Sequence, residues 1–167
     1  MINSKTLKEF QKELESKTPN PGGGVVAALA GSFSASLIEM VCSQSLSEIV
    51  SLRNKKEILK IHKEVLVMKK KLNDLANEDI KVFQKIKQTE QTKDKESLKK
   101  VLKHAIEIPT EVRRISQELE SFGFKMTKLG VRGTIQDSKT AVHLARAASK
   151  SALENIKVYK VKVKDLN

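Results

Sequence analysis

One carboxylate in this sequence stands where a hydrocarbon belongs. Ile58, Ile61, Val65, Met68, Leu72, Leu75, Asp79, Val82 and Ile86 recur in steps of three and four without a break, the spacing of an apolar seam along one long helix. A carboxylate buried in such a seam is strongly disfavoured unless it is paired or protonated. Burial also raises its pKa toward the range in which a general acid or base works near neutral pH. Two plainer readings fit the spacing equally well. Asp79 is tied to a lysine, or the seam stops near Leu75 and Asp79 sits at a solvated edge.

A second feature with chemical potential is the run Pro19-Asn20-Pro21-Gly22-Gly23-Gly24, followed by the small, uncharged Val25-Val26-Ala27-Ala28-Leu29-Ala30-Gly31. A turn of this composition feeding a helix leaves several backbone N–H groups unpaired, with no side chains over them. Free donors and the helix dipole both favour a negative or carbonyl group there. The alternative is a flexible loop ahead of a buried helix. Asp137 is a second candidate acid, although Thr134-x-x-Asp137 is also a capping box, which alone accounts for an acid at that position. His62, His104 and His143 lie too far apart to form a metal-ligand pattern, and no metal site is expected. Arg113, Arg114, Lys125, Lys128 and Arg132 are available to an anionic ligand tail. There is neither a Ser-His-Asp arrangement nor a phosphate-loop motif.

The elements that must position these groups read as helices. Thr6-Leu7-Lys8-Glu9 is a capping box that opens a short first helix to about Ser16. The second helix is expected from Gly24 to about Leu52, apolar on most sides and therefore central. The third carries the Asp79 seam. The fourth, about Lys95 to Phe122, repeats it with Leu98, Val101, Ala105, Ile108, Val112, Ile115, Leu119 and Phe122. The polar stretch from Gln88 to Asp94 is the expected turn of an antiparallel hairpin. Pro109 predicts a kink and a free Ala105 carbonyl. Gly123, Gly130 and Gly133 are expected to loosen the chain before a last helix that starts at Thr134. One face of that helix is expected to carry Asp137, Ala141, Leu144, Ala148, Ser151, Asn155 and Val158. The tail Val158-Tyr159-Lys160-Val161-Lys162-Val163 alternates with period two, yet also continues the helix.

With 167 residues, the chain predicts a single domain, 1–167, able to bury a core without disulfides or metal. Cys42 is the only cysteine, which fits a reducing, cytoplasmic setting. No signal-peptide core is visible at the N-terminus. The uncharged run from Pro19 to Ile38 approaches membrane-spanning length. It opens with Pro and Gly, is rich in Ser and is followed by Glu39, so no membrane role is expected. A net charge of +12 with no Trp and one Tyr reads as a lysine-rich solvated surface. Nucleic-acid binding would need a basic stripe with stacking aromatics, and only Phe122 and Phe124 beside Lys125 approach one.

The run from Thr18 to Gly31 resembles the opening T-P-x-P-G-G-G-S-V-A-A-L-A-G of the cyclodeaminase/cyclohydrolase family, with Val25 in place of the usual serine. Asn77-Glu78-Asp79-Ile80-Lys81-Val82-Phe83 resembles that family's D-x-D-A-x-A-F segment. Gly130 to Ala141 resembles its G-N-x-N-x-x-S-D-x-x-V-A stretch, with Gly133 and Gln136 departing from it. Ala105 to Pro109 matches A-x-x-V/I-P, and Asn155, Ile156 and Val158 match the closing N-V-x-I. The resemblance implies an all-α bundle of long up-and-down helices that forms a homodimer. It also implies an enzyme acting on tetrahydrofolate one-carbon adducts without a cofactor. One expected reaction is the closing of 5-formimino-tetrahydrofolate to 5,10-methenyl-tetrahydrofolate with loss of ammonia; the alternative is hydrolysis of the methenyl form. Asp79 and Asp137 would be catalytic, and Pro21, Gly22, Gly23, Gly24 and Asn155 would bind the folate. The rival from another class is a non-catalytic basic module that binds a polyanion, since Val25, Gly133 and Gln136 lack side-chain groups usual in the family.

Overall fold

The computed structural model describes residues 2–17, 21–48, 51–92 and 94–166. Thr18, Pro19 and Asn20 of the glycine-rich opening lie outside the described residues. After a short 3-10 turn (Ile2–Ser4) come α1 (Leu7–Leu14), α2 (Gly23–Ser47), α3 (Leu52–Thr92) and α4 (Lys95–Leu129). A second 3-10 turn (Arg132–Thr134) leads into α5 (Ile135–Lys164). The architecture is all-α, and no strand occurs among the described residues.

α2 is the centre of the bundle, packed by α3, α4 and α5. Its apolar residues are spread around the whole circumference, so no rotation would hide them all from water. Val25, Ala28, Ala35, Ile38, Val41 and Cys42 are buried, while Phe33 keeps 55% of its surface exposed. Ser34 and Ser45 satisfy their buried hydroxyls on the Ala141 and Val41 carbonyls. By length and composition α2 would also suffice to cross a membrane, but 56% of its apolar window is buried within the molecule. Opposite it, the seam of α3 buries Ile58, Ile61, Val65, Leu72, Leu75, Val82 and Ile86. α4 buries Ala105, Ile108, Val112, Ile115, Leu119 and Phe122, joined by Leu102, which lies outside the expected spacing.

The helix boundaries differ from expectation in ways the local chemistry explains. α2 ends at Ser47 and not near Leu52, because Glu48 is extended (φ −95°, ψ 168°). α3 continues to Thr92 and absorbs most of the polar stretch expected to form the turn. Gln, Lys and Glu are good helix formers, and Glu90 is held by Lys87 at 3.1 Å and by Lys162 at 3.4 Å. The box at Thr6 forms as expected. That at Thr134 does not: its hydroxyl donates to the Val131 carbonyl at 2.9 Å, so capping no longer accounts for Asp137. The Val158–Val163 tail is helical. On α5 the buried stripe is Ser138, Ala141, Val142, Ala145, Ala148, Ser149, Ala152 and Ile156. Asp137, Leu144 and Asn155 lie at its half-buried margin, and Ser151 and Val158 are exposed.

Gly123 does not loosen the chain either. α4 runs through it to Leu129 and ends at Gly130, whose N–H bonds to the Met126 carbonyl. At Gly123 α5 packs close against α4: a Cβ there would sit 2.7 Å from Val142 Cγ2 and 3.3 Å from the Val142 nitrogen. Helix propensity favours Gly123→Ala by about 1 kcal/mol, whereas overpacking typically costs about 1–3 kcal/mol. The stiff β-branched Val142 has little room to turn away, so the clash should win. Gly123→Ala is expected to lower Tm by roughly 2–6 °C. In a Val142→Ala background the same change should no longer destabilise. A Tm for Gly123→Ala at or above that of the wild type would refute the close approach.

Candidate active site

Asp79 and the glycine turn, 55 positions apart in sequence, meet in space. A Cβ on Gly24 would lie 2.6 Å from Asp79 Oδ1 and 2.7 Å from Oδ2, distances no side-chain carbon tolerates. Gly24 therefore lets the carboxylate lie against the backbone of the first turn of α2. Gly23 is exposed, and a Cβ there would meet nothing within 4 Å. Gly22, the N-cap, has φ −134° and ψ −161°, extended backbone open to any residue. Pro21 is buried beside it. α2 receives no side-chain cap, and the Val26 N–H donates to the Gly22 carbonyl at 3.1 Å. The amides of Gly23, Gly24 and Val25 thus lie in the turn whose donors have no intrahelical acceptor.

Burial holds the Asp79 carboxyl up at about 6, from an ordinary 3.8, and no cation offsets that shift. The lysine-paired reading of Asp79 therefore has no support among the described residues. The α2 dipole favours the ionised form by about 0.3–1 kcal/mol. The rise from 3.8 corresponds to roughly 3 kcal/mol, so desolvation dominates. On α5, the Tyr159 phenol is pushed up to about 12 by its own burial and then by the Asp79 charge. Two helices thus meet here, with Gly24 from α2 and Asp79 from α3. Asn155, one turn before Tyr159, donates its amide to the Ser151 carbonyl at 3.0 Å.

Asp137 is not part of this cluster. It lies in the first turn of α5, roughly 33 Å along the axis from Tyr159 at about 1.5 Å per residue. That end of α5 adjoins the far end of α2, where the Val131 N–H donates to Ser45 Oγ at 3.1 Å. One copy of the chain therefore keeps the two candidate acids apart. Val25 is fully buried, so a hydroxyl there would face the core, while Gly133 and Gln136 are exposed. Arg114 is engaged by Glu111 and Glu118, and Lys125 lies 3.9 Å from Glu57. No group of three or more His, Cys, Asp or Glu among the described residues is arranged to hold a metal ion. An apolar cleft of about 450 Å³ opens between α1 and α2, walled by Phe10, Val26, Leu29, Phe33 and Leu144.

The model of the formiminotransferase-cyclodeaminase family matches residues 6–167. The chain belongs to that family. It is 25% identical to the methenyltetrahydrofolate cyclohydrolase of Methylorubrum extorquens, over 95% of this chain and 80% of that protein. It superposes on the formiminotetrahydrofolate cyclodeaminase of Thermotoga maritima with a TM-score of 0.91 and 25% identity, covering 97% of this chain and 81% of that one. The family match spans every helix of the bundle, including α1.

The raised Asp79 pKa has a stability consequence of definite sign. Between about pH 4 and pH 6 the folded chain keeps a proton that the unfolded chain releases. Stability from this group is therefore present below about pH 4 and is lost as pH rises through about 6. Asp79→Asn abolishes that titration. The variant's Tm relative to wild type should climb across this window and level off above it, by an amount equivalent to at most about 3 kcal/mol. A difference that stays constant from pH 4 to pH 7.5 would show that Asp79 titrates normally.

Proposed function

We propose that this chain is a folate one-carbon enzyme that closes 5-formimino-tetrahydrofolate to 5,10-methenyl-tetrahydrofolate with release of ammonia. The observation that carries the reading is a desolvated carboxylate, poised near neutral pH, against the uncapped N-terminal turn of α2. Ring closure forms a bond from N10 to the formimino carbon, giving a tetrahedral carbon between N5 and N10. Its amino group must gain a proton to leave as ammonia, and N10 must lose one. Asp79 is the proton carrier, a task that suits a pKa near the working pH. The free amides of the glycine turn face a carbonyl or anionic group of the folate, with Pro21 and Gly22–Gly24 shaping the turn and Asn155 at its margin. No metal or organic cofactor takes part in this scheme.

The second reading is hydrolysis of the methenyl form, favoured by the cyclohydrolase name of the Methylorubrum relative. It uses the same tetrahedral carbon and the same proton carrier, with water in place of the amino group.

The remote Asp137 enters if two copies pair through α2. Val26, Leu29, Phe33, Leu37 and Met40 form an uncharged stripe, with Val26 and Phe33 exposed. A two-fold axis near Phe33 would cover it and set Asp137 of one copy beside Asp79 of the other. The expected state is a homodimer, and a monomeric mass near 18.7 kDa at micromolar concentration would contradict it. Mixing inactive Asp79→Asn and Asp137→Asn chains should then restore about a quarter of wild-type activity, because each hybrid dimer holds one intact site. No recovery would mean that the site is not shared.

The decisive assay supplies both folates and follows ammonia release and methenyl absorbance. Asp79→Asn should lower turnover by roughly 10²–10⁴-fold with the helical signal unchanged. A variant with full activity would end the assignment, and a wild type inert toward both folates would end the folate reading.

A further inference from the structure

We propose that α1 is a clasp for a second copy of this chain, its apolar face and α2 together forming a seat for Leu37 and Met40 of the partner subunit. The inference rests on the α2-paired dimer and names a second element that holds it.

α1 is eight residues long, too short to persist in water without a packed face. Leu7, Phe10 and Leu14 share one side of it, and Lys8, Glu9 and Lys12 the other. Yet its own chain buries none of its residues, and Leu7 keeps 67% of its surface exposed. The apolar side instead forms one wall of the 450 Å³ cleft, with Val26, Leu29 and Phe33 on the wall that α2 supplies. A capped, amphipathic helix facing an apolar wall across open space lacks the side chains that fill the gap.

The stripe along α2 identifies them. Val26, Leu29, Phe33, Leu37 and Met40 are spaced by three, four, four and three, a pattern that reads the same in both directions. A two-fold interface needs such self-complementarity. About an axis at Phe33, antiparallel α2 helices set Val26 against the partner's Met40 and Leu29 against the partner's Leu37. The two halves of the stripe differ in shape. Val26, Leu29 and Phe33 line the cleft, whereas Leu37 and Met40 lie outside it and are half-buried. Each copy thus has a socket at one end and knobs at the other, and the axis joins socket to knobs twice. No lone charge is buried, because Glu39, the one charged residue of α2, is paired with Lys69 on α3. Residues 15–21 join α1 to Gly22, so seating α1 on the partner also anchors the chain that enters the glycine turn.

Sedimentation from nanomolar to micromolar concentration measures the dimer Kd. Leu7→Glu places an unpaired carboxylate in the seat and should weaken the dimer at least ~10-fold. A glutamate in the first turn suits the helix dipole, so α1 itself keeps its form. Lys8→Glu, on the outer side of α1, also replaces a side chain by a carboxylate and should change Kd less than ~3-fold. Phe33→Cys should yield a disulfide-linked dimer on mild oxidation, since Cys42 is buried. A dimer that cross-links through position 33 but ignores Leu7→Glu overturns the clasp and leaves the α2 pairing standing. A wild-type chain that stays monomeric, or a dimer that does not cross-link at position 33, overturns the pairing and the clasp with it.

Discussion

The structure turns on the contact between Gly24 and the Asp79 carboxylate. A seam of Leu, Ile and Val along α3 carries Asp79 inward, and the missing side chain at Gly24 lets it lie against the first turn of α2. Any larger residue at position 24 would push the carboxylate aside. Desolvation there outweighs the helix dipole, which sets the carboxyl near the middle of the physiological range. α2 has no side-chain cap because its N-cap residue is Gly22, which has no side chain to offer.

α2 supplies the second constraint. A central helix that is apolar on every side organises the core, because α3, α4 and α5 can all pack on it. The same property leaves Val26 and Phe33 uncovered by the chain itself. Its two ends border the two candidate acids, Asp79 by way of Gly24 and Asp137 by way of Ser45 and Val131. The length of one helix thus sets the separation between the two candidate acids.

Much of this was legible in the residues. The three-and-four spacing of α3 and α4 marks their buried faces, and Asp79 stands out as the polar member of its seam. The box at Thr6 follows from local chemistry alone. What remained hidden depends on which surfaces meet. Gly23 and Gly24 are indistinguishable as letters, yet only Gly24 touches Asp79. Tyr159 lies in a tail that reads equally as strand or helix, and nothing in its spacing points to α3. The box at Thr134 fails because its hydroxyl finds the Val131 carbonyl first. Gly123 reads as a breaker, but the close approach of Val142 gives it a packing role within a continuous helix.

The proposed chemistry depends on how readily Asp79 gives up its proton. The direct measurement is a carboxyl ¹³C titration of the ligand-free protein, with the Asp79 resonance assigned by comparison with Asp79→Asn. Burial against α2 predicts a midpoint at about 6. A midpoint near the ordinary 3.8 would mean that the carboxylate is solvated or paired, and would contradict its role as the proton carrier.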